Sequence, residues 1–155
     1  FISIISSISS LYAKEKYSVD YFMNGLQDKT CENVKGFAET HGYDFHNYWS
    51  GTAQSIAYYS YEIGCSDLYF KAIDAGAHPT YGGYSGDLVG TIIRESTELN
   101  SNDPNACTNG KDWLNLIKNT GADLTYRLEY SFWTNEELLE LIEASNCKEL
   151  KEFLS

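Results

Sequence analysis

The chain has 155 residues, of which 43% are hydrophobic and 15% aromatic, and its formal net charge is −11. A polypeptide of this length forms one domain with a sizeable core. The negative charge excludes nucleic acid and anionic membrane surfaces as expected partners, because both are negatively charged themselves. Two interpretations of the acidity stay open at this point: a solubilising surface, or electrostatic steering toward a partner with a basic surface.

The N-terminal segment 1–11 is apolar, rich in serine and without charge. It runs through 11–13 (Leu-Tyr-Ala) into the charged residues 14–16. This order resembles the hydrophobic region and small-residue cleavage site of a secretory signal, and the segment is too short to span a bilayer. We predict that 1–13 are a signal-peptide remnant and that 14–155 form the domain. The alternative is an apolar N-terminal helix that packs on the domain, and only this uncleaved segment would contact a membrane.

Three predicted helices end at a glycine. Gly42, Gly76 and Gly121 each follow a helical pattern, and glycine readily adopts the left-handed backbone that often closes a helix. The positions eight and four before each glycine are apolar and lie on one helical face. We therefore expect the helices to share a buried stripe, which consists of Val34 and Ala38, Leu68 and Ala72, and Trp113 and Ile117.

Further helices are predicted between and after these three. The segments 52–63 and 87–98 carry apolar residues at helical spacing, and 99–109 is a polar loop that contains a proline. Thr134 and Glu137 form a capping-box pattern ahead of an apolar run. Small polar residues at helix starts act as N-caps, and the other predicted N-caps are Thr30, Ser66 and Asn146.

The spacing of the glycines indicates a repeat. Gly42 and Gly76 are 34 residues apart, and the longer interval to Gly121 contains the loop 99–109. The run 51–57, the following Gly64-Cys65-Ser66 and the phrase at 75–78 (Ala-Gly-Ala-His) resemble an ankyrin repeat. That family's unit has a G-x-T-P-L-H-x-A-A opening, a second helix that ends in G-A-D and a β-turn finger. The threonine of the opening is present at position 52, whereas Ala-Gln-Ser replaces its Pro-Leu-His.

The resemblance covers about 29–155 and implies an all-α fold. It would be a helical-hairpin repeat array of about four units, with caps at both ends and projecting loops. Arrays of this kind bind partners more often than they catalyse reactions.

The four cysteines agree with an exported protein, because an even number of cysteines in such a chain predicts disulfides. Two disulfides have three possible pairings. The repeat frame implies the pairs Cys31–Cys65 and Cys107–Cys147, since each pair joins adjacent units. No C-x-x-C motif is present, which argues against zinc-ribbon and redox-motif sites.

Catalytic motifs are missing from the sequence. It contains no G-x-S-x-G elbow, P-loop or dinucleotide fingerprint. None of the three histidines lies at the spacing of a known zinc motif. We predict no enzymatic activity, no catalytic residues, no metal and no cofactor.

The aromatic residues favour a binding surface. By the resemblance, the finger loops are 44–50, 78–85 and 123–133, and aromatic side chains on projecting loops commonly anchor interfaces. Asp44, Asp87 and Glu129 are expected at the acidic rim. The predicted partner-binding residues are Phe45, His46, Tyr48, Trp49, Tyr58, Tyr81, Tyr84, Tyr126 and Tyr130.

These observations predict a non-enzymatic protein-binding module of the periplasm or cell exterior. Its aromatic finger loops and acidic concave surface would recognise a partner with a basic surface. An inhibitor or immunity factor that blocks a toxic enzyme is one specific role. Two alternatives stay open: a subunit of an envelope assembly that retains its apolar N-terminus, and a small periplasmic enzyme or ligand carrier.

Overall fold

The computed structural model describes residues 29–43, 55–82, 86–129 and 131–155. These residues form helices and turns, with no strand among them, as predicted for an all-α protein. The chain divides into two compact units, one that ends at Ala77 and one that begins at His78. The signal-peptide prediction for 1–13 lies outside the described residues. The repeat arrangement and the single domain over 14–155 stay predictions.

The N-terminal unit contains three described helices: α1 (Cys31–His41), α2 (Ile56–Glu62) and α3 (Ser66–Asp74). Helices α2 and α3 pack against each other as a hairpin. The short turn between them contains Gly64, whose φ of +70° favours glycine. The hydroxyl of Ser55 accepts a hydrogen bond from the Tyr58 N–H at 3.1 Å and so caps the start of α2.

The core of the N-terminal unit contains the predicted stripe. Val34 and Ala38 of α1 and Leu68 and Ala72 of α3 are fully buried. The disulfide Cys31–Cys65 joins the first residue of α1 to the residue before α3, with a Cα–Cα distance of 5.4 Å. This pairing agrees with the repeat frame.

The C-terminal unit contains α4 (Leu88–Arg94), α5 (Ala106–Lys118) and α6 (Asn135–Glu143), followed by a 3₁₀ helix (Lys148–Leu154). A π-helical turn, Glu95–Leu99, continues α4. The disulfide Cys107–Cys147 connects the first turn of α5 to the start of the 3₁₀ helix, with a Cα–Cα distance of 5.2 Å. It is the second pairing that the repeat frame implies.

The contact between α5 and the π turn is unusually close. A Cβ added at Gly110 would lie 2.1 Å from the Oγ of Ser96, so only glycine fits there without displacement. Ser96 and Thr97 donate hydrogen bonds to the carbonyls of Ile92 and Ile93 at 2.8 and 2.7 Å. Hydroxyls bonded in this way are typical of bent helices. The predicted helix 87–98 therefore exists, but its last turn is wider than an α-helix.

The C-terminal unit has its own apolar core. Trp113 and Ile117 of α5, the third pair of the predicted stripe, are both buried. They share this unit with fully buried apolar residues of α4, α6 and the 3₁₀ helix: Leu88, Ile92, Leu138, Ile142 and Leu150. No helix in the described part of the chain is both long and apolar enough to cross a membrane.

The predicted helix ends are mostly confirmed. Gly42, Gly76 and Gly121 all have positive φ, at +101°, +104° and +86°. Thr30 caps α1, and Thr134 forms the predicted capping box with the side chain of Glu137.

Two predicted N-caps, Ser66 and Asn146, are wrong by one residue. The N-cap residues are Cys65 and Cys147 instead, and neither makes a side-chain capping bond. The carbonyl of Cys65 accepts the first hydrogen bond of α3, from the Tyr69 N–H at 3.2 Å, which makes Ser66 the first residue of the helix.

Candidate partner-binding loop

The loop between α5 and α6 carries the two most exposed aromatic side chains of the described residues. Tyr126 is 60% exposed and Phe132 is 62% exposed. We call the described part of this loop, 123–129 and 131–133, the aromatic loop. A single exposed apolar residue is ordinary, but a concentration of aromatic surface marks a candidate contact region.

Local hydrogen bonds hold the two ends of the aromatic loop. The carboxylate of Asp123 accepts hydrogen bonds from the backbone N–H and the hydroxyl of Thr125, at 2.9 and 2.7 Å. These bonds lower the pKa of Asp123. The side chain of Asn135, at the start of α6, donates to the carbonyl of Thr125 at 2.7 Å. The chain before Tyr126 is therefore tied to the chain just after Phe132.

A buried carboxylate anchors the middle of the loop. The side chain of Asp87 is only 1% exposed, and its Oδ2 lies 2.6 Å from Nη1 of Arg127 in an ion pair. The Ser131 hydroxyl donates to the same oxygen at 3.1 Å, while the Val89 N–H donates to Oδ1 at 3.0 Å. One side chain thus caps α4 and holds two residues of the aromatic loop.

Burial dominates the electrostatics of this anchor. It raises the pKa of Asp87, and the nearby Arg127 and the donated hydrogen bonds oppose that rise. Burial likewise lowers the pKa of Arg127, whose side chain is 12% exposed. A buried ion pair contributes little net stability because both charges lose hydration, yet removing one partner is costly. The structural consequence is a loop fixed in position.

Trp133 packs the end of the loop against α4. A Cβ added at Gly90 would lie 2.7 Å from the indole, so the ring requires glycine at that position. The guanidinium of Arg94 lies 5.8 Å from the ring centroid, within the range of a cation–π contact. The ring of Phe132 meets Trp133 edge to face, with centroids 6.1 Å apart. Phe132 is thus exposed to solvent while its ring contacts the ring of Trp133.

The structure describes three of the nine predicted partner-binding residues. Tyr126 is exposed, as a contact residue requires. Tyr58 is half-buried and packs against the core of the N-terminal unit, and Tyr81 is also half-buried. Their role in binding stays a prediction. The predicted contact residues that lie outside the described residues are Phe45, His46, Tyr48, Trp49, Tyr84 and Tyr130.

The predicted acidic rim is wrong at Asp87. Its carboxylate is buried in the ion pair with Arg127 and cannot face a partner. In the sequence, an apolar run follows Asp87, and this pattern is typical of a helix start. It indicates that Asp87 acts as an N-cap. Glu129 is exposed, as predicted, and Asp44 lies outside the described residues.

Two residues of the aromatic loop are not among the nine predicted contact residues. Phe132 is one of the aromatic residues of the predicted finger 123–133, where two adjacent aromatic residues precede the capping box. The anchoring role of Arg127 had no local signal, because its partner is 40 residues away in the sequence.

A small cleft lies beside the aromatic loop in the same unit. Its volume is about 170 Å³, whereas pockets for small ligands commonly measure about 300–1,000 Å³. The cleft therefore offers little support for a ligand carrier. Its polar lining residues are Lys118, Asp123, Thr125, Glu152 and Ser155.

Neither metal chemistry nor similarity identifies the function. Within the described ranges, no three His, Cys, Asp or Glu side chains are grouped so that they could hold a metal ion. The geometry of the aromatic loop is thus the main functional observation. Comparisons with protein-family models, with curated proteins and with solved structures find no match to this chain.

Proposed function

We propose that this protein is a non-enzymatic binding module that recognises a protein partner through the aromatic loop. The observation that carries the proposal is the exposure of Tyr126 and Phe132 on a loop that the Asp87–Arg127 pair holds in place. Tyrosine and phenylalanine supply large contact areas with few rotatable bonds, so they lose little conformational entropy on binding. Such residues commonly dominate interface energetics.

Preorganisation supports the same proposal. Binding costs free energy when a loop must be ordered, and a loop that is already fixed avoids much of this cost. Thr125, near the start of the aromatic loop, is hydrogen-bonded to Asp123 and to Asn135 of α6, and the Ser131 hydroxyl is bonded to Asp87. The loop is therefore suited to rigid recognition.

Charge favours a basic surface on the partner. The whole chain has a net charge of −11, and the exposed charged residues of the aromatic loop, Asp123 and Glu129, are acidic. Complementary charge raises association rates and excludes unsuitable partners. We therefore propose a protein partner with a basic surface, and no nucleic acid.

The two disulfides support an oxidising compartment, in which such bonds form and persist. We propose the periplasm or the cell exterior. The more specific form of the proposal is an inhibitor or immunity factor that blocks a toxic enzyme, because a small, acidic, disulfide-braced protein with a rigid contact loop suits that role.

Affinity capture from the native host tests the proposal. The bait is the oxidised full chain, compared with Tyr126→Ala, Phe132→Ala and the control Phe70→Ala. Phe70 is 44% exposed in the N-terminal unit and meets Tyr69 edge to face at 6.0 Å, much as Phe132 meets Trp133. We expect mass spectrometry to identify one protein that both loop variants lose and Phe70→Ala retains. Equal capture by all the variants would refute the role of the loop.

A further inference from the structure

We propose that the partner inserts an arginine side chain against the rings of Tyr126 and Phe132. The guanidinium group of this arginine lies between the carboxylates of the aromatic loop and those at the start of α6. This inference rests on the proposed function and names the chemistry of the contact. It assigns the occupant of the exposed aromatic surface as a protein segment that presents a guanidinium group.

The distribution of charge is the first observation. Between positions 123 and 137, Arg127 is the only basic residue, and its charge is buried against Asp87. The acidic residues of the same stretch, by contrast, are all exposed: Asp123, Glu129, Glu136 and Glu137. Within this stretch of the chain, therefore, every exposed charged side chain is acidic, and the half-exposed Arg94 beside Trp133 is itself paired with Glu98.

The fold itself contains a version of the proposed contact. The Arg94 guanidinium lies over the Trp133 ring at 5.8 Å, and it also pairs with Glu98, with Nε 3.2 Å from the carboxylate. One arginine thus combines an aromatic face with a carboxylate at the edge of the aromatic loop. Tyr126 and Phe132 present exposed aromatic rings on the same loop that carries the exposed carboxylates of Asp123 and Glu129.

Arginine suits this surface better than other side chains. Its guanidinium is planar and weakly hydrated, so it stacks on aromatic rings while its N–H groups donate to carboxylates. A purely apolar partner would leave the surrounding carboxylates without a role in recognition. An acidic segment would be repelled by Glu129 and the other exposed carboxylates of the stretch 123–137.

The test uses a defined probe, the peptide Ac-Gly-Arg-Gly-Arg-Gly-NH₂, and a matched peptide with citrulline in place of arginine. Citrulline keeps the shape of the side chain and removes its charge. We monitor the aromatic NMR signals of the oxidised full chain during titration at low salt. We expect the arginine peptide to shift the Tyr126 and Phe132 signals and to bind about fivefold or more tightly than the citrulline peptide.

Variants make the assignment specific. Tyr126→Ala with Phe132→Ala should abolish the preference for arginine, whereas Phe70→Ala should retain it. Replacing Glu129 and Glu136 with glutamine should weaken arginine binding by about threefold or more and leave citrulline binding unchanged, because only the charge term is reduced. The variants alter exposed side chains, and far-UV circular dichroism verifies that they are folded.

Equal binding of the two peptides, or no shift at Tyr126 and Phe132, would overturn the inference. If the captured partner still requires both aromatic residues in that case, the proposed function stands and only the arginine contact is wrong. If partner capture is insensitive to both residues, the proposed function itself fails.

Discussion

Replacing Arg127 with methionine tests whether the buried ion pair anchors the aromatic loop. Methionine keeps much of the side-chain volume but leaves the Asp87 carboxylate, which is 1% exposed, without its cation. Hydrogen bonds to the carboxylate remain, among them those from the Ser131 hydroxyl and the Val89 N–H. The variant therefore has a buried charge that is hydrogen-bonded but no longer neutralised.

The destabilisation caused by Arg127→Met has an upper limit, because Asp87 can take up a proton instead of staying charged. The ordinary pKa of an aspartate is 3.8, so protonation at pH 7 costs about 4 kcal/mol at 1.36 kcal/mol per pH unit. Removing one partner of a buried pair commonly costs about 3–5 kcal/mol, in agreement with this limit. At pH 5 the same limit falls to about 2 kcal/mol.

The sign of the pH dependence follows from the raised pKa of Asp87. A carboxyl group whose pKa is higher in the folded protein favours folding when protonated, and this contribution is lost as pH rises through the folded pKa. Removing Arg127 raises that pKa further. The free energy of unfolding of Arg127→Met should therefore approach that of the wild type as pH falls from 7 to 5.

Urea denaturation of both proteins at pH 7 and pH 5, followed by tryptophan fluorescence, measures this difference. Lys151→Met is the control, because Lys151 and Glu143 lie 2.7 Å apart but are 59% and 50% exposed. We expect almost no effect from the control, since exposed ion pairs contribute little. A destabilisation by Arg127→Met that is equal at both pH values, or below about 1 kcal/mol at pH 7, would refute the reasoning.

Four further predictions concern stability. Gly110→Ala should destabilise the C-terminal unit by about 1–3 kcal/mol, because its Cβ would overlap a buried serine. In contrast, Gly36→Ala should stabilise α1 by about 1 kcal/mol, since among the described residues no atom beyond the adjoining chain and the backbone of α1 lies within 4 Å of the added Cβ. Replacing Cys107 and Cys147 together with serine should cost about 4 kcal/mol, as expected for a cross-link that spans 40 residues. Thr134→Ala should cost about 1 kcal/mol through loss of the capping box. Thermal and urea denaturation measure all of these changes in stability. An unchanged midpoint in any variant would contradict the structural reason given for it.

Local patterns in the sequence predicted much of the helical fold. The stripe before Gly42 and Gly76 is buried because apolar residues four apart share a helical face, whatever the tertiary arrangement. The capping box at Thr134 was likewise recognisable from adjacent residues. The disulfide pairing came from the repeat frame, and the structure contains the same pairs.

Local sequence patterns did not predict the contacts between segments that are distant in the chain. Asp87 carries a charge and was assigned to the surface, but its surroundings depend on Arg127 and Ser131 from a later loop. The π turn depends on hydroxyl bonds to the preceding helical turn and on the close approach of Gly110. Exposure of Phe132 rather than burial is likewise decided by tertiary packing.

The affinity of the captured partner for the loop variants tests the central claim most directly. Isothermal titration calorimetry would compare the oxidised wild type with Tyr126→Ala/Phe132→Ala and with Phe70→Ala. We predict that the double loop variant binds at least about 30-fold more weakly, which corresponds to the 2 kcal/mol expected of interface hot spots, while Phe70→Ala binds like the wild type. Wild-type affinity in the double loop variant would contradict the claim that the aromatic loop recognises the partner.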